Sequence, residues 1–467
     1  MKQSLSIKSL LIPISVMVFA YFVAKGVLDV TAHDDIRWEF KAVGLGLVGF
    51  SLFVSLFLRY EKAKRYIPYI LAVLISETGF AYEIKPGYFT SANEVLTVMI
   101  LIVWLTRQMM TQRSLIPQTY FSRELWMFLG VAGIGVFTAY FIFGVSPLNI
   151  LIVFKAYILY MFYFFLIPDC IKSGKELRGV ILFMIVLSLI PLLHGISGSM
   201  AIENLEEERL EVTRWGALNI FVGYIMPVFF VAFGLLLEEK AKWLKALLIG
   251  YMGTIVYLLF LAQTRTAWVA LVVGIGIFLL FTRRRIIAVA VTLLIVAGIM
   301  FSPKGEEVET VLRYRIVGQT LTPNSALQER YTRWEGAWET AKAYPLTGSG
   351  WGGVLPVMSD GTVEGSSMSF LPLWHNSYLE VLSQLGFPGL FAFLLLWWKI
   401  MRTEGKNLFF SPMFKRATIN RGLFIAVLGC LIYALAEQQF YKIETASHSY
   451  FLAGLLLSAR NVIGKNT

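Results

Sequence analysis

The chain has 467 residues, 57% of them hydrophobic and 15% charged, with a mean hydropathy of +0.67; a soluble domain is about 45–50% apolar and about 25% charged. That balance excludes an ordinary soluble protein. The net charge of +11 does not indicate nucleic acid either, because Lys and Arg are spread among short loops instead of gathering on one soluble face.

Long apolar runs recur from Ser9 to near the C-terminus, each close to the roughly 20 residues that a helix needs to cross about 30 Å of hydrocarbon. The short alternating strands of a closed barrel are missing, so the expected fold is an all-α polytopic membrane protein, a bundle of about 12–14 transmembrane helices. In chain order the spans are expected near 9–29, 41–58, 66–81, 93–110, 124–144, 149–169, 178–196, 217–237, 243–262, 267–282, 286–302, 378–401, 420–438 and 445–460, two or three of them short enough to be re-entrant or merged. The first follows a short basic N-terminus and has no small-residue cleavage site, so it reads as a retained span and not a signal peptide.

Alternate connections are basic: Arg59, Lys62, Lys64 and Arg65; Arg107, Arg113 and Arg123; Lys172, Lys175 and Arg178; Lys240, Lys242 and Lys245; Arg283, Arg284 and Arg285; and the stretch from Lys399 to Arg421. The positive-inside rule makes these cytoplasmic, with both termini, and turns residues 34–38, 82–88, 145–148, 197–216, the turn at Arg265, 302–374 and 442–447 outward. The expected organisation is a helical region over 1–301, a large outer loop over 302–374 and C-terminal helices over 375–467. Within the loop Leu327, Tyr331, Trp334, Trp338 and Ala341 fall at helical spacing, which predicts an amphipathic helix on the outer face. Cys170 and Cys430 lie at or in apolar segments, which argues against a disulfide framework and against catalysis.

Basic residues in outer loops run against the topological signal and need another reason. Arg209 and Arg214 sit five apart in one such loop, and Arg265 sits at an outer helical turn. Three guanidiniums on one face form a candidate anion clamp, since each offers a fixed fork of donors suited to phosphate oxygens. Pairing of Arg209 with Glu206, Glu207, Glu208 or Glu211 is the competing reading, whereas Arg265 has no acidic neighbour in its hairpin. His375 stands on the same side, where Asn376 or Ser377 can cap the following helix.

The remaining signals are weaker. His33, beside Asp34 and Asp35, reads as a solvated loop, and His194 and His448 read as interfacial. Lys155, Glu77, Glu94 and Glu437 lie in or at the ends of spans, where an ionisable group is a functional candidate or the partner of another buried charge. The run GSGWGG over 348–353 fits G-x-G-x-x-G by letter, but it follows a helix and a proline and opens no βαβ unit, so its glycines are assigned to tight turns against the membrane face. No HExxH, CxxC or paired-histidine spacing occurs, so neither a metal site nor a cofactor is expected.

The segment WHNSYLEVLSQLGFPGL, beginning at Trp374, resembles the histidine segment of the O-antigen ligase and polymerase family of bacterial membrane glycan transferases. RYTRWEGAWETAKAYPLTGSGWGG, beginning at Arg330, and TRTAWVALVVG, around Arg265, are similar to other runs of that family, so the specific matches cover roughly 262–391. The resemblance implies a GT-C type glycosyltransferase of the inner membrane that moves a glycan from an undecaprenyl diphosphate carrier to an acceptor hydroxyl at the periplasmic face. His375 and Arg265 fall on the family's functional positions; Arg209 and Arg214 agree with its paired arginines in spacing and location only. His375 is then the expected base, the three arginines the expected donor-diphosphate ligands, and Asn376 and Tyr378 the cap or support of the histidine.

The acceptor is lipid A core for a ligase and a growing glycan chain for a polymerase; the histidine segment leans toward the ligase. The competing class is a transporter or flippase of lipid-linked sugars, which would place ionisable residues near the midplane between structural repeats. Here the distinctive charges gather at one face and no repeat is visible.

Overall fold

The computed structural model describes residues 63–76, 92–111, 117–200, 218–281, 325–353, 374–410, 418–440 and 443–464, with isolated positions between 286 and 293. Among the described residues every regular element is helical, the arrangement that satisfies backbone polar groups where water is excluded. In chain order they are α1 (Ile67–Ser76), α2 (Ala92–Met110), α3 (Ser122–Phe137), α4 (Pro147–Ile158), α5 (Tyr163–Cys170), α6 (Gly174–Leu187) and α7 (Leu189–Ser199). There follow α8 (Leu218–Glu238), α9 (Lys242–Leu261), α10 (Arg265–Phe281), α11 (Ser325–Ala343), α12 (Ser377–Gly405), α13 (Thr418–Tyr433) and α14 (Ile443–Gly464).

Six described stretches are long and apolar enough to cross a membrane: Ser122–Ile142, Asn149–Cys170, Gly174–Ser199, Leu218–Glu238, Lys242–Leu261 and Ser377–Phe409. The chain is an all-α, multi-pass membrane protein. The spans expected at 9–29 and 41–58, most of 286–302, and residues His33, Glu77, Arg209 and Arg214 lie outside the described residues.

The chain divides into two compact units, Met1–Pro117 with Asp169–Met184, and Gln118–Pro168 with Ile185–Thr467. In the first, Tyr69 of α1 lies against Gly179 of α6, and its ring meets Phe183 edge-on at 5.2 Å. The Trp104 indole of α2 donates to Asp169 at 3.3 Å. The start of α6 is a capping box written as SGKE: Ser173 Oγ accepts from Glu176 N, and Glu176 Oε2 accepts from Ser173 N.

In the second unit α8 is the central helix, buried without interruption from Phe221 to Leu237. It runs antiparallel to α13, and Gly234 and Gly422 bring the two backbones together: a Cβ on Gly422 would lie 2.6 Å from the Phe230 carbonyl oxygen. α10 packs on both helices, with Phe278 against Phe233 at 4.8 Å. Where α8 finishes, Glu238 accepts from Thr418 Oγ1 at 3.2 Å and from Ile419 N at 3.4 Å, setting a negative charge at the N-terminus of α13. Near the far end of α12, Glu404 accepts from the Tyr120 hydroxyl at 2.6 Å and pairs with Arg460 at 3.4 Å. Burial first, and then the Glu404 carboxylate, push the Tyr120 phenol above its ordinary range.

α12 is broken inside its apolar run. Gly386 has φ 65° and ψ −170°, and Pro388 has no N–H to give, so the carbonyls of Ser383 and Gln384 lose their helical partners. The turn after α11 supplies replacements: Ser349 N donates to Ser383 O at 2.8 Å, Gly350 N to Gln384 O at 2.9 Å, and Phe387 N in return to Pro345 O at 2.9 Å. Trp351, fully buried, donates from its indole to Ala132 O of α3 at 2.8 Å. The run GSGWGG is therefore inserted into the bundle instead of lying on its face. Its glycines are needed for close approach as well as turning, since a Cβ on Gly350 would come within 2.6 Å of Ala139 Cα.

Candidate active site

The site is built where α12 begins. Asn376 is extended, and its Oδ1 accepts from Tyr378 N at 2.9 Å and Leu379 N at 3.1 Å, capping two of the helix's open donors. Its amide donates in the other direction, to Leu435 O at 2.7 Å. Immediately before it, His375 has φ 50°, a left-handed backbone that costs a non-glycine residue about 1 kcal/mol or more. This places a half-buried imidazole at the mouth of the helix.

The opposing wall comes from the end of α13. The span expected over 420–438 stops at Tyr433, and residues 434–440 fold into a turn because the start of α12 takes up their carbonyls. Ser377 N donates to Ala434 O at 3.0 Å, Ser377 Oγ donates to Glu437 O at 3.1 Å and accepts from Phe440 N at 3.2 Å, and Tyr378 reaches Leu431 O at 2.7 Å. α14 then starts at Ile443, inside the stretch 442–447 expected as a loop.

Glu437 is the hub of that turn, 5% exposed. Its Oε2 lies 3.6 Å from His375 Nδ1 and accepts from Asn219 Nδ2 at 2.7 Å; its Oε1 receives Arg330 Nη2 at 2.8 Å. Arg330 also donates to Ala436 O at 3.0 Å. Asn219, in turn, holds the Tyr433 hydroxyl through its backbone carbonyl at 3.2 Å. One carboxylate thus joins α8, α11 and the start of α12. Arg330 is delivered by α11, which is fixed in place by Trp334 donating to Trp374 O at 2.9 Å and by the buried Ala337 and Ala341.

Arg265 is the first residue of α10, after a tight turn in which Gln263 has φ 52°. Gly274 and Phe278 of α10 pack on Phe230 and Phe233 of α8, so the two helices run in the same direction. Continuing that register toward their N-termini brings Arg265 level with the first turn of α8, which carries Asn219. Arg265 and the His375–Glu437 pair therefore occupy one end of the bundle.

Other residues singled out in the sequence lie elsewhere. His448 is fully buried with its ring 4.5 Å from that of Tyr224. Glu94 is buried in α2, Lys155 lies in α4 and His194 in α7. Cys170 and Cys430 are separate buried thiols. Among the described residues no three His, Cys, Asp or Glu side chains come together as metal ligands. Two members of the site escaped sequence reasoning. Arg330 heads the run RYTRW but carries no signal for its partner, and Asn219 is an unremarked polar residue at a helix start.

Residues 250–394 match the family model described as O-Antigen ligase. This part of the chain is similar to an O-antigen ligase domain. The matched segment includes Arg265, Arg330, His375 and the break in α12, while Asn219 and Glu437 come from flanking segments. No curated protein matches the chain. The O-antigen ligase match supports an enzymatic role in glycan transfer, with a lipid-linked glycan and a glycan acceptor as the general partners.

Proposed function

We propose that the protein is an O-antigen ligase that transfers a glycan from undecaprenyl diphosphate to a hydroxyl of lipid A core, at the periplasmic face of the inner membrane. The observation that carries this reading is the imidazole of His375, set at a helix mouth against Glu437, on the same bundle end as Arg265. Nδ1 faces the Glu437 carboxylate, which leaves Nε2 to take the proton of the acceptor hydroxyl. The acceptor oxygen attacks the anomeric carbon from the side opposite the leaving group, so configuration inverts. The bond to the diphosphate breaks, and its electron pair leaves with the diphosphate.

Negative charge grows on the diphosphate while positive charge grows on the imidazole. Arg265, with Arg209 and Arg214, meets the first; Glu437 meets the second at short range. Arg330 is committed to Glu437 and Ala436 O, so it orients the carboxylate and is not counted among the diphosphate ligands. Because diphosphate leaves readily and guanidiniums supply the charge, the reaction is metal-independent in this reading; activity lost to a chelator and restored by Mg²⁺ or Mn²⁺ would contradict it.

The deciding experiment is a gel of lipopolysaccharide and carrier-linked glycan from a strain deleted for the chain. Long chains retained on the carrier with bare lipid A core are expected. Cores bearing a single repeat unit would identify a polymerase, and an unchanged pattern would remove both.

A further inference from the structure

Behind the contact between His375 and Glu437 lies a second carboxyl group that the reaction above does not use. Glu380, in the first turn of α12, is 1% exposed. Its oxygens are held by two neutral amides: Gln384 Nε2 donates to Oε1 at 3.3 Å and Gln438 Nε2 to Oε2 at 3.2 Å. Gln384 passes the connection on, its Oε1 accepting from Gly352 N at 3.3 Å. A carboxyl buried this deeply is costly, and an apolar side chain of similar volume would serve packing better. Its cost calls for a role beyond filling space.

The geometry points to Glu380 as a positioning residue that acts through Gln438 on Glu437, an inference that rests on the transfer reaction proposed above. The backbone of the 434–440 turn is already anchored by Asn376 and Ser377 on one side. The Gln438 side chain anchors it from the other, and Glu380 is the group that holds it, since Gln438 Oε1 is buried without a partner. Gln438 adjoins Glu437 in the chain, so the tie fixes the direction in which Glu437 faces His375. The same carboxyl couples this turn, through Gln384, to the inserted Gly352. Glu380→Gln can preserve the tie: its carbonyl accepts from Gln384, and its amide donates to the Gln438 oxygen once that amide turns over. Glu380→Leu cannot.

The test uses the full chain reconstituted in vesicles with an undecaprenyl diphosphate-linked glycan and lipid A core. Glu380→Leu should lower kcat by about 10–100-fold, as expected for a small misplacement of a reacting group, with the donor KM changed by less than about threefold. Glu380→Gln should recover kcat to within about threefold of the natural chain. In a Glu437→Gln background, Glu380→Leu should add no further loss, because the group through which it acts has gone; a residue that merely holds the fold would multiply the two losses. If Glu380→Leu does not insert, Gln438→Met carries the same expectations. Natural kcat in Glu380→Leu, failure of Glu380→Gln to recover, or multiplied losses would overturn the inference. Full activity of His375→Ala in this assay would instead overturn the reaction on which it rests.

Discussion

At the scale of single residues, the backbone of His375 matters as much as its ring. A left-handed φ of 50° is accessible to Asn at little cost but strains most other side chains. His375→Asn should therefore insert and unfold as the natural chain does, while losing at least about 100-fold in transfer rate because the amide cannot accept the proton. Thermal unfolding in detergent, beside the transfer assay, checks both halves. Arg265→Lys keeps the charge and loses the fork of donors; the KM for the carrier-linked donor should rise about tenfold, with a smaller change in kcat. As candidates, His375 and Arg265 were legible because each is out of place in the sequence, one at the threshold of an apolar helix and the other as a basic residue with no acid in its hairpin sequence. The convergence of Asn219, Arg330 and Glu437 was not, since it joins residues 107 and 218 positions apart and no local pattern records it.

At the scale of elements, the helices themselves were readable from apolar runs; the structure adds caps such as SGKE and the Ser146–Pro147 start of α4, where Ser146 Oγ accepts from Asn149 N at 3.3 Å. The break in α12 was only half readable. Gly386 and Pro388 announce a weak point in the helix, but nothing in LGFPG states which segment repairs it. The repair depends on backbone approaching backbone, so Gly350→Ala should destabilise the protein by about 2–3 kcal/mol, through its left-handed φ of 75° and the collision with Ala139. Gly130→Ala is the matched control: a Cβ there meets nothing within 4 Å, and replacing a helical glycine should leave stability unchanged or raise it by up to about 1 kcal/mol. Unfolding temperatures of the two variants in one detergent make the comparison.

At the scale of the whole molecule, the orientation expected from the distribution of basic loops rests on a signal that sums over the chain and so tolerates errors at individual span boundaries. It predicts that a cysteine placed at exposed Lys342 reacts with a membrane-impermeant maleimide in intact spheroplasts, whereas one at exposed Lys240 reacts only after permeabilisation. Background from Cys170 and Cys430 should be low, because both are buried. Equal labelling of the two positions in sealed spheroplasts would reverse or dissolve the assigned topology.

The repaired break in α12 also bears on the order in which a newly made chain can be completed. The amides of Ser349 and Gly350 leave the ribosome 34 residues ahead of the carbonyls they serve, so those bonds can form only once α12 has been made. Until they dock, α12 carries open carbonyls within an apolar segment, a state that hydrocarbon penalises. Its first turn has a further dependence, for the groups that receive Asn376 and Ser377 belong to residues 434–437, synthesised later still. A nascent chain that stops short of residue 434 thus has the histidine in its sequence but no wall to set it against, and the contact between His375 and Glu437 can form only once that turn has been made.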